Sequence, residues 1–190
     1  MVQAPNKIPN TPARWSLERY HAAVNAGIFE GWSVELLNGV IVDMSPEGPL
    51  HSSDICDVDD YLRTLVPREL GRFRLGNPLT LKYSEPEPDI AIVKPGSYRE
   101  QHPGLKDVLL VIEFSNSSLA RDTTGDKYQT YALEGIPDYW VLNLKDRCLR
   151  VNRQPDSAGM RYLEQFDLTS GTLKPLLLDI QVDVAQLLIK

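Results

Sequence analysis

The sequence is short of cysteine and of long apolar runs. Its 190 residues include only two cysteines, Cys56 and Cys148, which are too few for a disulfide framework and favour a reducing compartment. The longest purely aliphatic run covers residues 108–112, whereas a membrane-spanning helix needs about 20 apolar residues. The first dozen residues lack the apolar stretch of a secretory signal. We therefore expect a cytoplasmic protein that does not span a membrane.

Positive charge is also in short supply. The chain has 20 Lys and Arg against 26 Asp and Glu, for a formal net charge of −6. A protein that binds nucleic acid through a broad basic face is therefore disfavoured. A narrow basic groove stays open, because net charge does not say how charges are distributed. No helix-turn-helix or zinc-site pattern is present.

Local signals place the first elements of the chain. Residues 1–14 contain three prolines and are expected to form a flexible arm before a single domain at 15–190. Ser16 is a suitable N-cap for a helix at 16–26, which Gly27 would end. Asn38-Gly39 lies between apolar runs at 32–37 and 40–44, and this pair predicts a β-hairpin because both central residues need a positive φ.

The rest of the chain mixes helical and extended patterns. Apolar residues at helical spacing predict an amphipathic helix at 53–66, and a second helix is expected at 122–134 before Gly135. The mixture predicts an α+β (mixed α/β) fold with a central twisted mixed sheet, flanked by helices and preceded by the N-terminal helix and hairpin. The most apolar strand should lie at the centre. Strands are predicted at 72–75, 80–83, 89–93, 108–114, 139–144, 149–152 and 162–166, with a loop at 98–106 and a closing segment at 182–188.

Glu113 is the lone charge near the end of the most apolar strand. Strict alternation would put it on the same face as Leu109 and Val111. A carboxylate in such a place is costly unless it is paired or bound to a cation, so a catalytic or ligand role is favoured. The alternative is that Glu113 already lies in solvent at the end of the strand, or pairs with an arginine.

Asp89 and Lys127 indicate a functional site only when they are considered together with Glu113. Asp89 follows Pro88 and could simply begin a strand, and a helix lysine such as Lys127 is usually solvated. Together, however, two carboxylates on neighbouring strands can converge on a hard cation such as Mg²⁺. A lysine from the next helix can stabilise the negative charge that builds on a phosphate in the transition state.

At these residues the sequence resembles a known family. Pro88-Asp89 followed by an apolar strand with Glu113 is similar to the PD-(D/E)xK signature of restriction-endonuclease-like nucleases. An ordered set of stretches across roughly residues 15–170 more closely resembles the Uma family of that superfamily. These stretches are Val34-Glu35-Leu36-Leu37-Asn38-Gly39-Val40, Met44-Ser45-Pro46, His51, Pro88-Asp89-Ile90-Ala91, Ile112-Glu113-Phe114-Ser115, Asp122 with Asp126-Lys127 and Tyr131, and Gly135-Ile136-Pro137-Asp138-Tyr139-Trp140-Val141.

The resemblance implies a restriction-endonuclease-like domain that hydrolyses DNA phosphodiester bonds with Mg²⁺ or Mn²⁺. Asp89 and Glu113 would hold the metal, with Glu35 as a third acid. The lysine expected two residues after the glutamate is replaced by Ser115, and the resemblance implies that Lys127 on the following helix takes its place. Asn116 stands where the family usually has a proline, which leaves the local loop conformation open but not the metal site.

Several assignments have a plain structural alternative. Glu35 could equally be a solvent-facing strand residue. His51, just before the second predicted helix, could lie near the scissile phosphate or could bond to backbone at the start of that helix. Tyr139-Trp140 is most simply core packing. The whole chain could instead be an inactive nuclease-fold module for binding or assembly. A homodimer is plausible because cutting two strands symmetrically needs two sites.

Overall fold

The structure is a computed structural model that describes residues 12–44, 48–115 and 125–188. Most of the predicted arm, at residues 1–11, lies outside the described residues, as do Ser45, Pro46, Asn116 and Asp122. In chain order the elements are α1 (Leu17–Asn25), β1 (Val34–Leu37), β2 (Val40–Asp43), α2 (Pro49–Leu65), β3 (Arg72–Leu75), β4 (Ile90–Val93), a 3₁₀ turn (Leu105–Asp107), β5 (Val108–Ser115), α3 (Asp126–Glu134), β6 (Asp138–Asn143), β7 (Cys148–Asp156), β8 (Arg161–Leu168), β9 (Thr172–Leu173), β10 (Val182–Asp183) and α4 (Val184–Leu187).

A mixed sheet of six strands forms the centre of the fold. Its strand order is β3-β4-β5-β6-β7-β8, with β5 parallel to β6 and every other neighbouring pair antiparallel. Helix α3 lies in the chain between the two parallel strands, as a parallel pair requires a crossover connection. Strand β5 is interior to the sheet and almost fully buried. The predicted fold class and the central position of the most apolar strand are confirmed.

Helices cover both faces of this sheet. Helix α2 packs Val58 and Leu62 on the face that carries Ile112 and Trp140, and α4 joins the same cluster. Helix α3 covers the other face, where its side chains meet those of Val111 and Tyr139. Tyr139 and Trp140 are both buried and belong to different clusters, as neighbouring residues of a strand should. Core packing is thus confirmed for this aromatic pair.

The predicted alternation along β5 is wrong at one position. Leu109 packs with the α2 cluster, whereas Val111 packs with the α3 cluster. The cause is a register shift against β4, where the neighbours Ile92 and Val93 pair with Leu110 and Val108, so that Leu109 has no partner in the ladder. Such a bulge reverses the facing of the residues before it. Leu109 therefore does not share a face with Val111.

The strand predicted at 80–83 is also absent, and the segment is irregular. The Glu134 carboxylate at the end of α3 accepts the backbone N–H groups of Lys82 at 2.8 Å and Tyr83 at 2.8 Å. These donors are therefore not available to a strand ladder. Directly afterwards, Glu85 forms an isolated antiparallel bridge with Leu36 of β1, and this bridge ties the hairpin to the rest of the chain.

The N-terminal helix and hairpin form as predicted. The Ser16 hydroxyl accepts the N–H of Arg19 and caps α1. Asn38 and Gly39 have φ values of 47° and 75° and turn the chain between β1 and β2. Helix α2 begins at Pro49, earlier than predicted, because proline is well suited to a first helical position. His51 consequently lies inside α2 rather than before it. No helix in the described ranges is long and apolar enough to cross a membrane.

Gly39 gives a direct test of the hairpin. A Cβ at this position would lie 2.8 Å from Arg14 Cβ and 3.0 Å from the Trp15 carbonyl oxygen, in addition to the strain of a positive φ. We expect Gly39→Ala to lower the free energy of unfolding by about 2–4 kcal/mol. Gly31→Ala is the matched control, because Gly31 also has a positive φ but has open space around it. Urea unfolding measures both, and equal losses would contradict the close approach at Gly39.

Candidate active site

Asp89 and Glu113 meet across the ladder between β4 and β5. Ile90 pairs with Ile112 in antiparallel register, so the next position along places Asp89 opposite Glu113. The Asp89 Oδ2 atom accepts the backbone N–H of Phe114 at 2.7 Å. This bond fixes the Asp89 carboxylate against the backbone of β5. The structure therefore brings together the two acids that the sequence singled out.

Lys127 reaches these acids from the first turn of α3. Its Nζ atom lies 3.1 Å from Glu113 Oε1 and 3.6 Å from Glu35 Oε2. It also donates a hydrogen bond of 3.0 Å to the Glu87 carbonyl oxygen. The side chain is 28% exposed, so Lys127 faces the site instead of extending into solvent. The proposed migration of the lysine to a helix is geometrically feasible in this fold.

Glu35 is the third acid of the group. It lies on β1, is 4% exposed, and its Oε2 atom accepts the backbone N–H of Glu87 at 3.1 Å. The alternative that Glu35 faces solvent is therefore wrong. Its direct charged neighbour is Lys127, so the hairpin contributes a carboxylate that helps to hold the lysine.

The backbone of Glu87 connects two of these side chains. Its N–H binds Glu35 and its carbonyl oxygen binds Lys127. Pro86 and Pro88 flank it, and a residue before a proline is restricted to extended conformations. Burial, followed by the nearby Glu35 carboxylate, raises the pKa of the Glu87 side chain.

His51 approaches Asp89 from the other layer of the fold. Its Nε2 atom lies 3.5 Å from Asp89 Oδ1, and its ring packs edge-on against Phe114. Lys127 comes from the α3 layer, whereas His51 comes from α2. Asp89 thus lies where both helices converge on the end of the sheet. The catalytic role of His51 stays a prediction.

Tyr131 belongs to the stretches that carry the family resemblance, but no role in the site was predicted for it. Its hydroxyl donates a hydrogen bond of 2.6 Å to Glu113 Oε1, and the side chain is fully buried. Tyr131 follows Lys127 by one helical turn, and residues at this spacing lie on the same face of a helix. The spacing was the available signal, and both side chains contact Glu113.

Burial sets the electrostatics of the group. It raises the pKa of Glu113 to about 8, against the opposing pull of the Lys127 ammonium and with a further rise from Asp89. Burial alone would lower the pKa of Lys127, but the carboxylates of Glu113, Glu35 and Asp89 outweigh it and raise that pKa. When all three acids are ionised, their charge exceeds that of the one ammonium, and a divalent cation would relieve this excess.

The donor set fits such a cation in part. Across residues 12–44, 48–115 and 125–188, no three His, Cys, Asp or Glu side chains are gathered closely enough to form a ready metal shell. Magnesium, however, is commonly held by one or two carboxylates, with water and substrate oxygens completing its shell. Asp89 and Glu113 are the two carboxylates that could hold such an ion. A direct ligand role for Glu35 stays a prediction, since its carboxylate is bonded to Glu87 and lies beside Lys127.

Comparisons with known proteins identify the family and support the fold. Residues 17–185 match the Uma2 family, described as "Putative restriction endonuclease", which confirms the resemblance found in the sequence. A crystal structure from Anabaena variabilis ATCC 29413, of "a putative nuclease belonging to DUF820", is similar with a TM-score of 0.62 and 16% sequence identity. The similarity covers 83% of this chain and 90% of that one, and it supports the fold. No curated protein matches the chain.

The raised pKa of Glu113 predicts a gain in stability on its removal. An unfolded glutamate has a pKa of 4.5, against about 8 in the folded protein, so the folded state binds this proton more tightly. Glu113 therefore lowers the free energy of unfolding progressively as the pH rises from about 4.5 to 8. In metal-free buffer we expect Glu113→Gln to raise the free energy of unfolding at pH 8.5, because the amide brings no charge into the buried site.

This difference should shrink as the pH falls to about 4.5 and below, where Glu113 becomes protonated in the unfolded chain as well as in the folded one. Urea unfolding across this pH range measures it. Glu100→Gln, a change at an exposed position, is the control and should leave the pH profile unchanged. A Glu113→Gln variant that is less stable than the wild type at every pH would contradict the prediction.

Proposed function

Because this chain belongs to the Uma2 family, whose description is "Putative restriction endonuclease", we propose that it is a metal-dependent endonuclease that hydrolyses DNA. The observation that supports this function best is the position of the Lys127 ammonium. It is held between Glu113 and Glu35, and Asp89 is near enough to contribute to the rise in its pKa. A buried cluster of one ammonium and several carboxylates lowers the stability of a fold, so its presence favours a chemical function.

Each residue has a part in the proposed hydrolysis. Asp89 and Glu113 would hold Mg²⁺ or Mn²⁺, which supplies a Lewis acid and lowers the pKa of a bound water. Lys127 stays protonated through the pH range of a cell, because its neighbours raise its pKa. Its ammonium therefore stabilises the negative charge that develops on the phosphate in the transition state.

Glu35 and His51 complete the proposed site. Glu35, together with the Glu87 carbonyl oxygen, keeps the Lys127 ammonium in place when a phosphate competes for it. His51 lies beside Asp89, where an imidazole can take up or supply a proton near the scissile phosphate. We further propose that two copies of the chain act together where both strands of a duplex are cut.

Cleavage of plasmid and single-stranded DNA in Mg²⁺ or Mn²⁺ tests this function. We expect Asp89→Asn, Glu113→Gln and Lys127→Met each to reduce the rate at least about 100-fold, because each removes charge stabilisation at the reacting phosphate. Lys145→Met changes an exposed lysine in the turn between β6 and β7 and should retain full activity. Equal rates for all of these proteins would identify a contaminating nuclease and overturn the assignment.

A second candidate is an inactive module of the same fold that binds or assembles. Two observations favour it: the absence of a three-residue metal shell in the described part of the chain and the net charge of −6. Metal affinity separates the two functions. For the nuclease we expect calorimetry to show Mn²⁺ binding at or below millimolar concentration that is lost in Glu113→Gln. No binding by the wild type would favour the inactive module.

A further inference from the structure

Tyr131 gives Glu113 a partner that differs in kind from Lys127. The phenol hydroxyl donates to Oε1 at 2.6 Å, and the ammonium lies 3.1 Å from the same oxygen. The second carboxylate oxygen, Oε2, accepts from Lys127 at 3.2 Å. Two donors on one oxygen fix the orientation of a carboxylate. This orientation also sets the direction in which the other oxygen points.

The packing around Tyr131 prevents its hydroxyl from moving away. The ring is fully buried in the cluster between α3 and the sheet. It lies 5.0 Å from the Tyr139 ring, centroid to centroid, at an angle of 58°. A different rotamer would leave a cavity in a close-packed layer, which is costly. The position of the hydroxyl is therefore set by the core and does not depend on the charges in the site.

The two donors respond differently to a cation at Glu113. An ammonium is repelled by a divalent ion placed on the same carboxylate, whereas a neutral phenol is not. Lys127 also has other partners in Glu35 and the Glu87 carbonyl oxygen, so it can leave Glu113. Tyr131 is therefore the partner of Glu113 that remains suitable when the carboxylate serves as a ligand.

We propose that Tyr131 is a positioning residue, which holds Glu113 by Oε1 so that Oε2 stays aimed at the metal position. This inference rests on the proposed function, because it assigns Tyr131 a role toward the same cation. Groups that orient a metal ligand in this way commonly change affinity or activity by 10–100-fold when they are removed.

A matched control lies on the same helix. Tyr128 is buried like Tyr131, but its hydroxyl accepts the backbone N–H of Tyr162 at 3.0 Å and the Gln165 side-chain amide at 3.1 Å. Tyr128→Phe therefore removes a buried, hydrogen-bonded hydroxyl without touching Glu113. Any effect of a lost hydroxyl on stability alone should appear in both variants.

The test compares Mn²⁺ affinity by calorimetry for the wild type, Tyr131→Phe, Tyr128→Phe and Glu113→Gln, with urea unfolding of each protein. We expect Tyr131→Phe to weaken Mn²⁺ binding about tenfold or more and Tyr128→Phe to leave it unchanged. In DNA cleavage, the lost rate of Tyr131→Phe should be recovered by raising the Mn²⁺ concentration. A purely structural role for the hydroxyl would not produce this recovery.

The outcomes separate the inference from the function on which it rests. If the wild type binds Mn²⁺ and Glu113→Gln does not, but Tyr131→Phe binds as tightly as the wild type, the positioning role is overturned and the nuclease assignment stands. Equal weakening in both tyrosine variants would also overturn it. If the wild type binds no Mn²⁺, the proposed metal site and the role of Tyr131 are lost together.

Discussion

The contact between Lys127 and Glu113 is the interaction on which the site depends. Both groups are largely withdrawn from water, and their pKa values are displaced strongly by burial and by one another. The attraction within a buried ion pair seldom outweighs the free energy needed to remove two charges from water. This one also leaves Asp89 and Glu35 as uncompensated negative charge nearby. Fold stability alone does not explain the group, whereas the proposed chemistry at a phosphate would.

Backbone geometry, more than side-chain reach, brings the group together. The hairpin delivers Glu35, and its turn requires Gly39 because a side chain there would meet Arg14 and Trp15. The hairpin is bound in turn to the segment that contains Glu87 through the Leu36–Glu85 bridge. A substitution at the turn should therefore displace Glu35 and Lys127, although neither residue is itself substituted. Local folding and the site are coupled through these backbone bonds.

Sequence patterns predicted the features whose causes lie within a few residues. The cap at Ser16 and the Asn38-Gly39 turn are local, and both formed as expected. The irregular segment at 80–83 could not be predicted, since the carboxylate that binds its backbone belongs to Glu134, about 50 residues later. The bulge at Leu109 likewise depends on pairing with another strand. For the site, charged residues in apolar settings were informative, whereas the local sequence around Tyr131 did not predict its contact with Glu113.

Placement of the lysine on a helix has a consequence for the whole fold. In the superfamily signature the lysine shares a strand with the glutamate, but here Ser115 stands at that position and α3 carries Lys127. The ammonium is then positioned by how α3 packs on the sheet, and Tyr131 contributes to that packing while it binds Glu113. One helix thus supplies a charged partner that can be released and a neutral partner that cannot. Under the proposed function, this division would let the same side chain stay bonded to Lys127 in the resting protein and still be oriented for a cation.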